Sequence, residues 1–423
     1  YKRQTEDSKA LEEVVVIGYG TQKKVNLTGA IGYTDSKAIE NRPVANLGQA
    51  IQGAIPNLNI SFGSGKPGET TSMNIRGFAS INQESKPLIL IDGIEGNIDN
   101  LNPRDVESIS VLKDASSAAI YGARAPFGVV LVTTKSGRKD MPTKLDINFF
   151  TGFSQTPKTL NVFNGEEYSR FARYYNLAAD GYGTEVGSVP FVGAGTDWQD
   201  IMLRTAMTYK ANANISGGSK TASYSASASY LNKEGILRNT SHESYNIRLK
   251  SDYSFLDNRL IIGESMIVRL SKGEGNINQD TMGEILRFPS VVPVFDPTNP
   301  TGWGTSADIN LPNPYAYYST VNKNNEKTQI FLNAYLQAEV IKGLKYKLNL
   351  GLRKDHTKSR TYTGAYDLGT YGKNDAPDLS EGSADYESWV LENTLNYDKI
   401  FGKHNLSALV GYSCLLYTSD AAD

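Results

Sequence analysis

The sequence predicts a mainly β protein, a transmembrane antiparallel β-barrel wall behind a small N-terminal α/β domain. Three observations predict it. After Pro142 the chain of 423 residues settles into nine segments in which apolar and polar side chains alternate, the period of a strand with two different faces. Most of these segments run nine to twelve residues, close to the roughly 9–11 that a tilted strand needs to cross a bilayer and beyond the about 5–6 of an average soluble strand. The links between them are alternately brief and long, as in outer-membrane barrels with tight turns on one side and large loops on the other.

Taken in order, residues 1–10 are polar and charged with nothing to bury, which predicts a flexible tether. Glu12-Glu13 then precede Val14-Val15-Val16-Ile17, an apolar extended run expected to stand unpaired near the N-terminus. An unpaired β-former, a compact mixed domain and membrane-length strands, in that order, describe a gated pore whose gate is pulled by a strand-adding partner. The first residue is Tyr1, with no Met and no apolar leader, so the gene is expected to begin upstream. From Lys23 to about Lys139, short strands at 58–60, 73–76 and 88–91 alternate with helical pieces. Asn102 ahead of Pro103 caps one helix, while Asp114 opens a second over 115–121 and Gly122 closes it.

The nine strands are expected at 144–153, 208–216, 221–231, 244–254, 259–270, 328–341, 344–354, 388–398 and 404–413. Their faces separate. Tyr209, Ala211, Ala213 and Ile215 share one side and Lys210, Asn212, Asn214 and Ser216 the other; Leu344, Tyr346, Leu348, Leu350 and Leu352 likewise oppose Lys345, Lys347, Asn349, Gly351 and Arg353. Tight links fall at 217–220, 255–258, 342–343 and 399–403, and long ones at 154–207, 232–243, 271–327 and 355–387. Glu264 lies on the apolar face of its strand, which points to a local bulge or a shifted register.

Composition excludes several function classes. With 43 basic against 45 acidic residues the net charge is −2, leaving no electrostatic case for nucleic acid. Apolar runs such as Val14–Ile17 and 129–132 are four residues long, far below the roughly 18 of a membrane helix. The single Cys414 permits no intrachain disulfide, and His242, His356 and His404 stand in separate segments without metal-ligand spacing; no cofactor is expected. Tyrosine supplies 25 of the 42 aromatics, which suits rings at a water boundary and also ordinary strands. Gly63-Ser64-Gly65-Lys66-Pro67-Gly68 has the letters of a dinucleotide fingerprint, but the turn and strand that follow offer no helix N-terminus to a pyrophosphate. Glu166-Glu167 reads as capping, because Asn164 stands three residues before Glu167. No Ser, Cys or His sits in a recognisable nucleophile setting, so the chain is not expected to be an enzyme.

Ordered motifs then carry a resemblance. Glu12-Glu13-Val14-Val15-Val16-Ile17-Gly18-Tyr19-Gly20 is followed by Ile75-Arg76-Gly77, Leu90-Ile91-Asp92-Gly93, Val106-Glu107-Ser108-Ile109, Val111-Leu112-Lys113-Asp114-Ala115, Tyr121-Gly122-Ala123-Arg124 and Gly128-Val129. In this order they resemble the SusC/RagA family of TonB-dependent outer-membrane transporters over residues 11–413. The resemblance makes 1–22 a flexible segment with a TonB box, 23–140 a plug domain and 141–413 part of a barrel. Glu12, Glu13, Val14, Val15, Val16 and Ile17 become the residues that bind TonB. Arg76, Gly77, Asp92, Gly93, Lys113, Asp114, Tyr121, Gly122 and Arg124 become the plug signature. Two departures stand out: Pro56-Asn57 replaces the family's usual Pro-Gly, and Pro126 interrupts the small residues usual after the Arg. A complete barrel of this class has about 22 strands, so the chain is expected to be an N-terminal fragment, and 414–423, which abandon the alternation, an appended non-native tail.

The resemblance implies import of oligosaccharides or oligopeptides across the cell outer membrane, driven through TonB and its ExbB/ExbD motor beneath a SusD-like lipoprotein lid. Outer-membrane lipid would surround the wall. An iron-chelate or cobalamin cargo, or a secreted β-rich glycan-binding or adhesion protein, are the competing readings. Trp198, Trp303 and the Tyr315, Tyr317 and Tyr318 cluster lie in long links, where they suit either stacking on sugar rings or packing of the loops.

Overall fold

The computed structural model describes residues 14–17, 20–23, 31–40, 42, 44, 46–63, 65–77, 86–174, 193–275, 280–306, 310–402 and 404–422. Strand β1 (Val14–Ile17) and β2 (Gly20–Lys23) pair antiparallel as a separate two-stranded sheet, with Val14 opposite Lys23 and Ile17 opposite Gly20. The expectation of an unpaired strand is therefore corrected: four bare N–H and C=O groups in a row find the nearest complementary backbone, a few residues on in the same chain. Glu12 and Glu13 lie outside the described residues.

The mixed domain is built on β3 (Ile31–Asp35), helices α1 (Ser36–Glu40) and α2 (Leu47–Ile51), then β4 (Leu58–Ser61), β5 (Ser72–Ile75), β6 (Leu88–Ile91), β7 (Ile94–Glu95), β8 (Val106–Leu112), α3 (Ala115–Ala118) and β9 (Val129–Thr134). A five-stranded sheet runs β3-β8-β9-β6-β7, with β6 and β9 parallel and β4-β5 forming a hairpin beside it. Strand β9 reads Val129-Val130-Leu131-Val132 without alternation because both its faces are covered. Val130 and Val132 join Ile39, Leu47, Ile51, Ile109 and Val111 on one side, whereas Val129 and Leu131 join Leu112, Ala118 and Tyr121 on the other. Asn102 does cap Pro103, its Oδ1 accepting from Arg104 N at 3.1 Å, over a single 3-10 turn. Asp114 makes no capping bond, because its carboxylate is taken by Arg76.

The wall comprises β10 (Lys144–Ser154), β11 (Ala206–Gly218), β12 (Ala222–Glu234), β13 (Ser241–Phe255), β14 (Leu260–Glu274), β15 (Val321–Ile341), β16 (Leu344–Thr363), a small hairpin of β17 (Tyr366–Asp367) and β18 (Lys373–Asn374), then β19 (Asp378–Phe401) and β20 (His404–Ala422). Nine of these form one antiparallel sheet in sequential order, an open arc with β10 and β20 at its edges. One cross-strand row fixes the register across all nine strands: Leu145, Ile215, Ala226, Leu249, Met266, Leu332, Leu352, Trp389 and Leu416 stand side by side. A slip of one residue would turn that strand's apolar set to the inside. Leu145 is 60% exposed and Leu249 44%, as expected of a face covered by lipid.

Three expectations about the wall change. Every predicted strand exists, but β15, β16, β19 and β20 run 19 to 24 residues. The predicted break at 414 is also absent from the pairing, since β20 stays on β19 out to Ala422 opposite Ser383. Glu264 is not at a bulge: the ladder continues through Ser251, Glu264 and Ala334, and Ser251 Oγ donates to its carboxylate at 2.9 Å on the outer face.

The long links carry their own structure. Helix α4 (Gly165–Tyr174) lies in the first long link, while α5 (Trp198–Met202), α6 (Thr281–Arg287) and α7 (Pro314–Thr320) contribute to a cluster of Trp198, Met202, Ile285, Phe288, Val292 and Tyr318. Asn164 and Glu167 exchange reciprocal capping bonds at 2.9 and 3.0 Å, which accounts for that acidic pair.

Candidate functional site at the plug and the wall

The α/β domain lies on the inner face of the arc, and polar contacts fasten it there from the tight-turn end to the long-loop end. At the tight turns, Lys139 donates to Ser254 and Asn258, and Asp140 N donates to Ser219 O at 3.1 Å. Backbones nearly touch at Gly137, where a Cβ would come within 2.2 Å of Tyr224 O.

Deeper in, the turn after β6 places Asp92 (φ +48°) and Gly93 (φ +93°) in the left-handed region, which aims the Asp92 carboxylate at the wall. It accepts from Thr134 N at 3.0 Å and from the Thr134 hydroxyl, and Lys250 Nζ of β13 sits 3.2 Å away, its side chain 13% exposed against 11% for Asp92. Burial pushes the Asp92 carboxyl up, but the Lys250 ammonium and the Thr134 hydrogen bonds outweigh it and hold the group below the usual carboxylate range.

One row further, Arg248 is 1% exposed and bridges the two bodies. Its Nη1 donates to Lys135 O at 2.7 Å, its Nη2 to Ser225 Oγ at 2.8 Å, and its Nε lies 3.7 Å from buried Asp105. Asn102 Nδ2 donates to Asn212 Oδ1 at 2.7 Å in a buried contact. Arg269 then reaches Asn100 Oδ1 at 2.5 Å and stands 3.3 Å from His242 Nε2. Nearby, burial pushes the Asp99 carboxyl up, against the hydrogen bonds from Thr71 and the charge of Arg269. Wall residues Ile267 and Phe331 complete the apolar core of the inner domain. A buried polar seam crossing an apolar contact resists sideways slip yet separates as a unit, because each broken pair would strand a charge.

Above this seam, at the end where the strands enter the long loops, a cavity of about 680 Å³ lies between Phe62, residues 65–70, 97 and 99–102, and the wall. His242 overhangs Gly68 so closely that a Cβ there would meet its ring at 2.4 Å.

The signature residues separate into groups. Asp92 and Gly93 face the wall. Arg76 (φ +62°) pairs with Asp114, and Lys113 joins them, its ammonium lowered in pKa by burial first and Arg76 second. Tyr121 is buried on the far side of the sheet beside Gly122 (φ +59°) and half-exposed Arg124. Asn57 takes φ +62°, so the replacement of Gly by Asn keeps the turn, Asn being a residue that enters the left-handed region readily. Of the loop aromatics, Trp198 and Tyr318 pack the loops: Trp198 donates to Pro289 O at 3.0 Å and is 3% exposed, and Tyr318 is 4% exposed. Trp303 stacks on Phe295, itself 61% exposed, with ring centres 5.2 Å apart. Lys250, Arg248, Arg269 and Asp105 were missed from the sequence; for the three wall cations the available signal was a fixed charge in mid-strand on the side opposite the apolar row, whereas Asp105, at the end of a 3-10 turn, offered none.

Comparison with known proteins agrees with this architecture. Residues 23–129 match the model of the TonB-dependent Receptor Plug Domain. TonB-dependent receptor P3 of Formosa agariphila is 31% identical over 421 residues, covering 96% of this chain and 40% of the relative. TonB-dependent receptor SusC of Bacteroides thetaiotaomicron is 34% identical over 267 residues, 60% of this chain and 26% of the relative. The RagAB peptide importer in its open-open state superposes with a TM-score of 0.79 at 26% identity, over 97% of this chain and 50% of that one. The chain thus spans about 40% of the length of the first of these relatives. With a plug sheet fastened inside an arc of sequential antiparallel strands, the chain belongs to the SusC/RagA family of TonB-dependent transporters.

Proposed function

We propose that the protein carrying this chain imports oligosaccharides or oligopeptides across the outer membrane, with energy delivered through TonB and ExbB/ExbD and with a SusD-like lipoprotein closing the loop side. The observation that carries this reading is the plug seam: charged groups hidden at the plug–wall contact fasten the plug to the inner face of the arc, while a β-hairpin lies at the opposite end of the sequence from the cavity-lining wall strands. Family membership and the likeness to a peptide importer support it.

The proposed cycle has three steps. Cargo enters the cavity at the loop end. TonB adds as a strand along β1, whose second edge carries no partner among the described residues, so backbone hydrogen bonds supply the grip. Tension is then transmitted through the chain into β3 and the plug sheet, and the seam at Asp92 and Asp105 yields. The proton gradient supplies the energy elsewhere, and chemistry on the cargo has no place in this cycle.

Val15→Pro tests the strand's role, because proline removes an N–H from the ladder. In the full-length protein it is expected to abolish uptake of labelled cargo while leaving equilibrium binding within about twofold, a change of less than 0.5 kcal/mol. Uptake at the unaltered rate would remove β1 from the mechanism.

A further inference from the structure

We infer that the cavity above the plug takes an oligosaccharide that carries negative charge, as carboxylate or sulfate groups. This rests on the import reading and narrows its cargo. Seven Lys or Arg residues border the cavity against three Asp or Glu; Arg360 and Glu274 stand at outward strand positions, which leaves six cations and two acids on the cavity side, although the whole chain is slightly acidic.

The three acids are already engaged. Asp99 accepts from Thr71, Glu69 from Gly65 N at 2.8 Å, and Glu274 from Lys272. Some of the cations are engaged too: Lys327 with Asp355 at 3.3 Å and Arg360 with Glu381 at 3.5 Å. The ammonium groups of Lys210, Lys233 and Lys323, on three different inward-facing strand positions, have no hydrogen bond or ion pair among the described residues. Lys210 and Lys233 are half-buried. Both are partly desolvated, and the carboxylates that act on them, Asp105 and Glu69, form no hydrogen bond or ion pair with them; holding cations in this way is costly, and an anion arriving in the cavity relieves that cost at both positions. The low-dielectric walls of the lumen also focus the positive field toward the loop mouth, which concentrates anions there.

The rest of the lining argues for a sugar over a peptide. Amides and hydroxyls dominate it, among them Asn97, Asn102, Asn246, Asn325, Ser229 and Ser244. Such groups match the dense donors and acceptors of a polyhydroxylated chain, whereas a peptide would require apolar recesses for its side chains.

The test uses the full-length protein in detergent and oligomers of matched length: a neutral hexasaccharide, a uronate hexasaccharide, a sulfated hexasaccharide and a hexaglutamate peptide. A charged sugar is expected to bind more tightly than the neutral one. Its affinity should fall as salt rises and should drop about fivefold in each of Lys233→Gln and Lys323→Gln, a loss typical of one charge contact. The uronate and sulfate arms tell the two anions apart. Equal binding of neutral and charged sugars, unchanged affinity in both variants, or binding of the peptide alone would overturn the inference. Resistance of each variant's barrel to unfolding in detergent shows that any loss is not misfolding. Uptake by cells is scored separately: a charged sugar that binds but is never taken up defeats the import reading and leaves the cavity's chemistry intact, whereas uptake of the neutral sugar alone does the reverse.

Discussion

At the residue scale, two plug carboxylates respond to burial in opposite ways. Asp92 is depressed, so the stability it contributes is present above the unfolded carboxylate range and is lost as pH falls through its folded pKa, below about pH 4. Asp99 is raised, so its contribution is fully present at low pH and fades as pH rises through its folded value. Lys250→Met should therefore destabilise the plug by about 3–5 kcal/mol, since it leaves a buried carboxylate unpaired, and adding Asp92→Asn should recover much of that. Protection of the plug from protease as denaturant is raised measures both; equal loss in the single and double variants would rule out the ion pair as the cause. Asp99→Asn should be neutral or stabilising at pH 7 in the same assay. Asn57→Val should cost about 1–2 kcal/mol for its left-handed backbone, and Asn57→Gly close to nothing. The sequence named Asp92 by resemblance but did not say which of the inward-facing cations pairs with it, because Lys250 is 158 residues away.

At the element scale, the nine strands were legible and their lengths were not. Apolar alternation records contact with lipid, whereas a strand persists wherever its ladder persists. Beyond Leu352 the outward positions of β16 are Lys354, His356, Lys358 and Arg360, and they face Glu387, Asp385 and Glu381 across the ladder. His356 stands 2.9 Å from Asp385, and Lys354 3.9 Å from Glu387. Charged cross-strand pairs thus carry the sheet out of the bilayer after the apolar signal stops. The same register makes Leu332→Arg, in the apolar row, cost about 2–4 kcal/mol in a full-length barrel refolded into lipid, the penalty of a lipid-facing cation near mid-membrane. Asn325→Arg, which faces the lumen, should change stability by less than 1 kcal/mol in the same refolding titration. Comparable costs at the two sites would mean that the faces are assigned wrongly. The β1-β2 hairpin was illegible for a different reason: Gly20–Lys23 has little β propensity of its own, and pairing with a strong β-former supplies the structure.

At the scale of the whole molecule, the plug and the wall are fastened together in this structure, and the proposed import cycle requires them to separate. Sequence order gave the division into plug and strands, since that follows from texture along the chain; the tether expected at 1–10 lies outside the described residues. The seam was hidden because it joins residues more than a hundred positions apart, such as Asn102 with Asn212 and Lys135 with Arg248. Movement of the plug against the wall is the central claim, and tethering them tests it most directly. Cysteines replacing Asn102 and Asn212, joined by a short cleavable thiol crosslinker in the full-length protein, should leave cargo binding intact and stop uptake, with uptake returning when the linker is cut. Uptake that continues at the uncrosslinked rate with the linker in place would contradict it.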